Sequence, residues 1–442
     1  MVSRRSVRWS VSLAAALLVA GCGGGGGSNA PAGSTSCDLA SQQDWLRGYM
    51  QDWYFWSGSS PNPAPAGYAT LADYFEALKY ANYPGRGIEP WSNYQDSVSY
   101  NRFFAEGRTL GYGLFVNGNE RQLPLRVRMV EPLSPAGIAG LQRGDTILAI
   151  DGVASDVLIT GDFAVLNPAQ AGAQISVDIE RAGVPQQVVL SAAEYALTPV
   201  PVSQVLTLPG GGKAGYVMLK DFITQAETPL VNALAAMRSA GATELIVDLR
   251  YNGGGRISTA NQFASQIVGA AHAGGTFATL NYNAARQSSN TSFVLATGPG
   301  AAFSRVVVLT GPRTCSASEL LANGLAPFAQ VVTIGGTSCG KPYGFNPVAS
   351  CSNTFSVVNF RALNARGEAD YDSGLAPTCP VSEDFSGALG DPAEKLTAAA
   401  LSYLQTGNCP AAAAASERAA PLGLRPRRDF VEPGERRGMT AD

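Results

Sequence analysis

Hydrophobic residues recur along the chain in three different rhythms, and each predicts a different kind of structure. Between residues 37 and 106, "DWLRGYMQDWYFW" and "TLADYFEALKYA" place apolar and aromatic residues near helical spacing, so each run can bury one face. Pro61, Pro63 and Pro65 part the two runs, and a small helical cap is predicted. From 107 to 195 the chain turns to short β-branched segments separated by glycine turns, as in "LRVRMVEPL", "DTILAIDG" and "AQISVDIERAGVPQQVVLSA", which predict a β-rich domain. From 196 to 409 strand-like and helix-like segments alternate. "KAGYVMLKDF" predicts a strand, "AETPLVNALAAMRSAGA" an amphipathic helix, "TELIVDLRYNGGG" a buried strand entering a glycine turn, and "ISTANQFASQIVG" a helix. Such alternation predicts an α/β layered domain. Residues 410–442 run from alanine-rich to polar and proline-interrupted, and are expected to be disordered.

The amino-terminal end needs a separate account. Residues 1–22, "MVSRRSVRWSVSLAAALLVAGC", put Arg4, Arg5 and Arg8 ahead of a short apolar run that closes on small residues, the form of an export signal. About 12 apolar residues are too few to span roughly 30 Å of hydrocarbon as a helix. "LVAGC" resembles the bacterial lipoprotein processing box, which implies cleavage before Cys22 and a lipid on its sulfur. Several acyl chains would hold the protein on the membrane of the cell envelope, on its periplasmic side, while residues 23–36, with "GGGGGS", act as a flexible linker.

Charge and composition remove several function classes. The formal net charge of -3 supplies no basic field for nucleic acid. One histidine, His272, rules out a metal site built on several imidazoles, and no metal or other cofactor is expected. Without Cys22 six cysteines remain, an even number that outside the cytoplasm points to disulfides. Cys37 with Cys409 and Cys351 with Cys379 are the pairings expected, each closing a segment end onto the body. Cys315 and Cys339 stay open: joined, they would clamp their surroundings; free, Cys315 would be a weak nucleophile candidate.

Two sets of motifs carry chemistry. "GYGLF" at 111–115 and "SPAGIAGLQRGDTILAIDG" at 134–152 resemble a PDZ domain. In that family the glycine-containing loop gathers backbone N–H groups on a terminal carboxylate, and the adjacent strand edge pairs with an extended peptide. The resemblance implies a peptide site at Tyr112, Gly113, Leu114 and Phe115, taking polypeptides with apolar carboxyl termini.

The second set lies in the α/β part. "PRTCSASELLANGLAP" opens a predicted helix, and Ser316-x-x-Glu319 is by itself a capping box. Lys341 stands in the glycine-flanked loop "GGTSCGKPYG", 25 positions after Ser316, where a returning strand can bring it back to the serine. An amine activates a serine only when neutral, which burial favours. "DLRYNGGG" at 248–255 supplies a turn whose N–H groups can face a carbonyl as negative charge develops on it. Together these resemble the carboxyl-terminal processing (tail-specific) serine peptidases, which use a Ser/Lys dyad. That family carries "SASE", "GK" at this spacing and an "R-N-x-x-G-G" turn, in the same domain order, over roughly residues 40–390.

The resemblance implies Ser316 as nucleophile, Lys341 as general base, and an oxyanion hole from the N–H of Ala317 with that of Gly254 or Gly253. It implies a crotonase-like, tail-specific protease core at 196–409, with an inserted PDZ domain at 107–195 and a helical cap at 37–106. Many members carry a glutamine four residues after the lysine, where this chain has Phe345. Lys341 must then be oriented by another group, such as the Ser318 hydroxyl or a main-chain oxygen. Two other functions fit the same residues: a peptide-binding scaffold without the reaction, and a hydrolase of another acyl bond such as an ester.

Overall fold

The computed structural model describes residues 32–410, apart from 162 and 299, and residues 438–441. Segment 1–22 with Cys22, residues 23–31 of the linker, and 411–437 lie outside the described residues. No helix among the described residues is long and apolar enough to cross a membrane.

Two six-stranded sheets hold the helices that carry the site. The first runs, in spatial order, Val202–Thr207, Lys213–Met218, Glu244–Asp248, Arg305–Thr310, Gln330–Gly335 and Cys379–Pro380. Its first pair is antiparallel and the others are parallel. Parallel neighbours need crossovers, and helices Glu227–Ser239 and Ala317–Leu325 supply two of them. The run "RVVVLT" at 305–310 is almost uniformly apolar because both its faces are covered. Val306 and Val308 enter the large core with Phe263 and Leu320, whereas Val307 and Leu309 enter a second core with Leu396 and Ala400 of helix Lys395–Thr406.

The second sheet has the order Gly254–Arg256, Gly438–Thr440, Tyr343–Phe345, Val358–Leu363, Thr276–Tyr282 and Thr291–Val294. Its buried residues share the large core with helices Ile257–Val268 and Ala317–Leu325. Residues 438–440, within the stretch expected to be disordered, thus form a strand. Pairing on both sides satisfies its backbone and Met439 is fully buried, a tertiary gain that local composition does not announce.

At the amino-terminal side, helix Leu39–Trp53 is capped by Asp38 and helix Leu71–Leu78 by Thr70. Their aromatic faces reach the large core, Trp45 meeting Phe355 edge-on at 5.0 Å. Residues 108–196 carry a core of their own, including Leu114, Val127, Ile147 and Val177. Strand Arg108–Gly111 enters this part and pairs antiparallel with Ala193–Ala196, which leaves it, so its two ends lie side by side.

The disulfides correct the expected pairings. Cys37 joins Cys351, Cys379 joins Cys409, and Cys315 joins Cys339, with Cα–Cα distances of 5.7, 5.4 and 5.2 Å. Cys37 cannot meet Cys409, because the segment before Leu39–Trp53 lies along the hairpin of Val348–Ser350 and Asn353–Ser356, where Ser34 N–H donates to Ser350 Oγ at 2.9 Å. Cys409 follows helix Lys395–Thr406, which packs beneath the first sheet near Cys379.

Candidate active site

The site grows from the end of strand Arg305–Thr310. Thr314 closes the turn after it, its hydroxyl accepting from Gly311 N–H at 2.9 Å and donating to Leu249 O at 2.8 Å. Ser316 follows, immediately ahead of helix Ala317–Leu325, with φ 62° and ψ −114°. A side chain rarely adopts that backbone conformation, and holding one there costs about 1–3 kcal/mol. Ser316 is fully buried, and its Oγ has no hydrogen-bond partner among the described residues.

Glu319 organises the surroundings. Its fully buried carboxylate accepts from Ser316 N–H at 2.8 Å, Lys341 N–H at 2.9 Å, Gly340 N–H at 2.8 Å and the Ser338 hydroxyl at 2.5 Å. Burial raises its carboxyl above the ordinary value, and these donors pull against that rise. One carboxylate thereby holds the backbones of both candidate residues. The Cys315–Cys339 disulfide ties the same two segments a second time. Cys315 is therefore no free thiol, and the Cys315, Glu319 and Cys339 cluster offers a metal only its carboxylate.

Lys341 sits at the start of the return toward strand Tyr343–Phe345, preceded by Gly340 at φ 87°, where a methyl would lie 2.4 Å from Asp372 O. Its side chain is fully buried, with Nζ 3.8 Å from the centroid of the Phe345 ring and 5.5 Å from that of Trp91. Phe345 thus packs directly on that amine. The Ser318 hydroxyl, considered for that task, donates to Asn252 O at 3.0 Å instead.

The glycine turn is the third side of the site. Asn252 secures it: its carbonyl also accepts from Cys315 N–H at 3.0 Å, its Nδ2 donates to Leu219 O at 3.0 Å, and its Oδ1 accepts from Gly254 N–H at 2.8 Å. In this structure the Gly254 N–H, expected to serve an oxyanion, is engaged by the turn's own Asn252 side chain. Gly254, at φ 111°, still has to be glycine. A methyl there would lie 2.5 Å from Gly438 O, 3.0 Å from Ser316 Cβ and 3.1 Å from Ala317 N, so turn, serine and helix start converge on one point.

Sequence reasoning missed the buried charges beneath this turn. Arg250 donates to Asp248 Oδ1 at 3.0 Å and to both oxygens of Glu394 at 2.7 and 3.0 Å. Burial alone would raise the Glu394 carboxyl; the hydrogen bonds and charge of Arg250, with Thr397, bring it down to about 2. Arg143, from the β-rich part, reaches Glu383 at 2.6 Å and the Tyr251 hydroxyl at 2.6 Å, and Arg313 of the serine turn pairs with Glu120. No sequence signal links these residues; only the "LRYN" turn marks one end of the set.

The peptide-loop candidates lie elsewhere. Tyr112 and Leu114 are buried in the core of the β-rich part, Phe115 in the second core beside Met129 and Tyr251, and Gly113 has φ 70° against Ser134. The structure brings Ser316, Ala317, Lys341, Gly253 and Gly254 together and does not bring Tyr112–Phe115 into that group. His272 stands apart, edge-on to Phe328 at 5.4 Å.

A buried hydroxyl at a strained helix start, a buried amine and a glycine turn thus stand together on an α/β scaffold. Two family models match the chain: "Peptidase family S41" over 213–381 and "Peptidase S41 N-terminal domain" over 41–98. The chain belongs to peptidase family S41. It is 32% identical over 237 residues to a carboxyl-terminal-processing protease of Synechocystis sp., covering 53% of each chain, and 28% identical over 235 residues to one from Picosynechococcus sp., covering 53% of this chain and 55% of that one. The chain therefore spans about half the length of these relatives. Among solved structures, an S41 protease from Bacteroides fragilis shares the fold with a TM-score of 0.65 at 23% identity, over 82% of this chain and 97% of that one.

Proposed function

We propose that the protein is a serine endopeptidase of the carboxyl-terminal processing type, with Ser316 as nucleophile and Lys341 as general base. The observation that carries this reading is the single Glu319 carboxylate bound to the N–H groups of both residues, reinforced by the disulfide between their neighbours. In the reaction Ser316 Oγ adds to the scissile carbonyl as Lys341 Nζ takes its proton. The developing oxyanion is met by Ala317 N–H, at the positive end of a helix, with the N–H of Gly253. Collapse breaks the C–N bond, Lys341 passes its proton to the leaving amine, and water then hydrolyses the acyl-enzyme by the same proton route. Lys341 Nζ packs on the Phe345 ring, and on this reading amine and hydroxyl come within hydrogen-bond reach as substrate binds.

The natural substrates on this reading are exported polypeptides with apolar carboxyl termini, gathered by residues 107–195 acting as a PDZ domain through the backbone of Tyr112, Gly113, Leu114 and Phe115. The enzyme works at the cell envelope, held by lipid on Cys22. Incubating an unfolded protein with the parent, Ser316→Ala and Lys341→Ala tests the assignment. Cleavage by the parent, reduced at least about 1,000-fold in both variants, is expected. Tail binding without cleavage in the parent would make the protein a scaffold, and cleavage of activated esters alone would make it an esterase. Because Lys341 acts as the neutral amine, cleavage by the parent should climb as pH rises; a flat profile from acid to alkaline pH would remove Lys341 as base.

A further inference from the structure

Residues 438–441 lie beside Ser316, Lys341 and the glycine turn. Strand Gly438–Thr440 runs parallel to Gly254–Arg256 on one side, with Gly438 opposite Gly254, and parallel to Tyr343–Phe345 on the other, with Thr440 opposite Phe345. Gly438 N–H donates to Gly253 O at 3.0 Å and Ala441 N–H to Phe345 O at 3.1 Å. The two flanking strands, one leading from the glycine turn and the other following Lys341, are neighbours in this sheet only through that segment. The carbonyl of Gly438 faces the point over Gly254 that also adjoins Ser316 Cβ and Ala317 N. A methyl on Gly438 would lie 2.7 Å from Phe345 Cε2 and 3.7 Å from Lys341 Nζ, while Met439 is fully buried in the large core.

We propose that the gap between Gly254–Arg256 and Tyr343–Phe345 is the site for an extended peptide, that it selects glycine followed by an unbranched apolar residue, and that residues 438–441 of this chain occupy it in cis and compete with substrate. Strand addition supplies sequence-independent hydrogen bonds on both edges, and selection falls to the side-chain positions. Phe345 enforces the glycine: its ring is buried against Lys341 and cannot retreat from a Cβ at 2.7 Å without losing that contact. The buried surroundings of Met439 take the next side chain; Gly344, where a methyl would lie 2.3 Å from Phe360 Cε2 and 2.9 Å from Met439 O, leaves room for that ring and for the backbone between. Phe345 thereby becomes a specificity residue. The inference rests on the peptidase reading in placing the scissile carbonyl at Ser316, but peptide binding is read separately from turnover.

The test uses the chain with Ser316→Ala, complete or ended after Arg437, and a fluorescent peptide of the sequence Arg-Arg-Gly-Met-Thr-Ala-Asp. The shortened protein should bind the peptide saturably, and the complete protein at least about tenfold more weakly, because its site is filled. Replacing the peptide glycine by alanine should weaken binding about tenfold or more, and Phe345→Ala in the protein should abolish that difference. With Ser316 intact, the shortened chain should cleave an unfolded protein several times faster than the complete chain. Equal binding by both proteins, or none by a shortened protein that melts like the parent, would overturn the proposal. Should the shortened chain fail to fold, Met439→Asp in the complete chain replaces it, and loss of folding there as well would overturn it by making the strand a fixed part of the sheet. Peptide binding as described with no cleavage by any form would defeat the peptidase reading alone; cleavage without discrimination at the glycine would defeat this inference alone.

Discussion

Glu319 shows how much a single residue does here that its sequence neighbours only half announce. The Ser-x-x-Glu spacing is legible as a cap, and the carboxylate does accept Ser316 N–H. Its bonds to Ser338, Gly340 and Lys341 arise from residues 19 to 22 positions away, brought back by strand Gln330–Gly335, and nothing local predicts them. Glu319→Ala would leave four buried donors without an acceptor. We expect it to cost about 3–5 kcal/mol in denaturant unfolding and to abolish cleavage, with Glu319→Gln intermediate in both. That residues 316 and 341 come to one place follows from the 25-residue spacing and the returning strand, whereas the bond from Gly254 N–H to Asn252 Oδ1 depends on a side-chain rotation that no spacing encodes.

Among the elements, long periodic segments were readable and short ones were not. Strand Arg305–Thr310 and helix Ala317–Leu325 follow from their apolar patterns. Gly254–Arg256 and Gly438–Thr440, three residues each, have no side-chain rhythm and exist because neighbouring edges satisfy their backbones. Disulfide partners are likewise set by which element ends meet. The Cys315–Cys339 bond closes a loop across the site, with 24 positions between its ends. Replacing both cysteines by serine should lower stability by about 3 kcal/mol, read by thermal or denaturant unfolding, and should slow cleavage measured without reductant.

At the scale of the molecule, buried charge joins the parts. Arg250 with Asp248 and Glu394, and Arg143 with Glu383, connect the glycine turn, helix Lys395–Thr406 and the β-rich residues. Arg250→Met would strand carboxylates in the interior and is expected to cost about 3–5 kcal/mol in unfolding experiments. Glu131, where the β-rich part meets Lys220 and Asp221, has its carboxyl pushed up to about 7, by burial first and by Asp221, with Lys220 opposing. The folded protein then holds a proton that the unfolded chain has lost, so stability should fall by about 3 kcal/mol as pH rises from about 4.5 to about 7. Denaturant melts across that range should show the fall, and Glu131→Gln should flatten it.

The order of helical, β-rich and α/β parts, and the serine, lysine and glycine turn, were determined by the sequence alone, because periodicity and motif spacing are local properties of the chain. Tertiary structure alone decided which cysteines pair, which carboxylate holds the serine and the lysine together, and where residues 438–441 go. Each of those depends on surfaces far apart in sequence meeting in a low-dielectric interior, where a polar group without a partner is costly and a distant one becomes its only recourse.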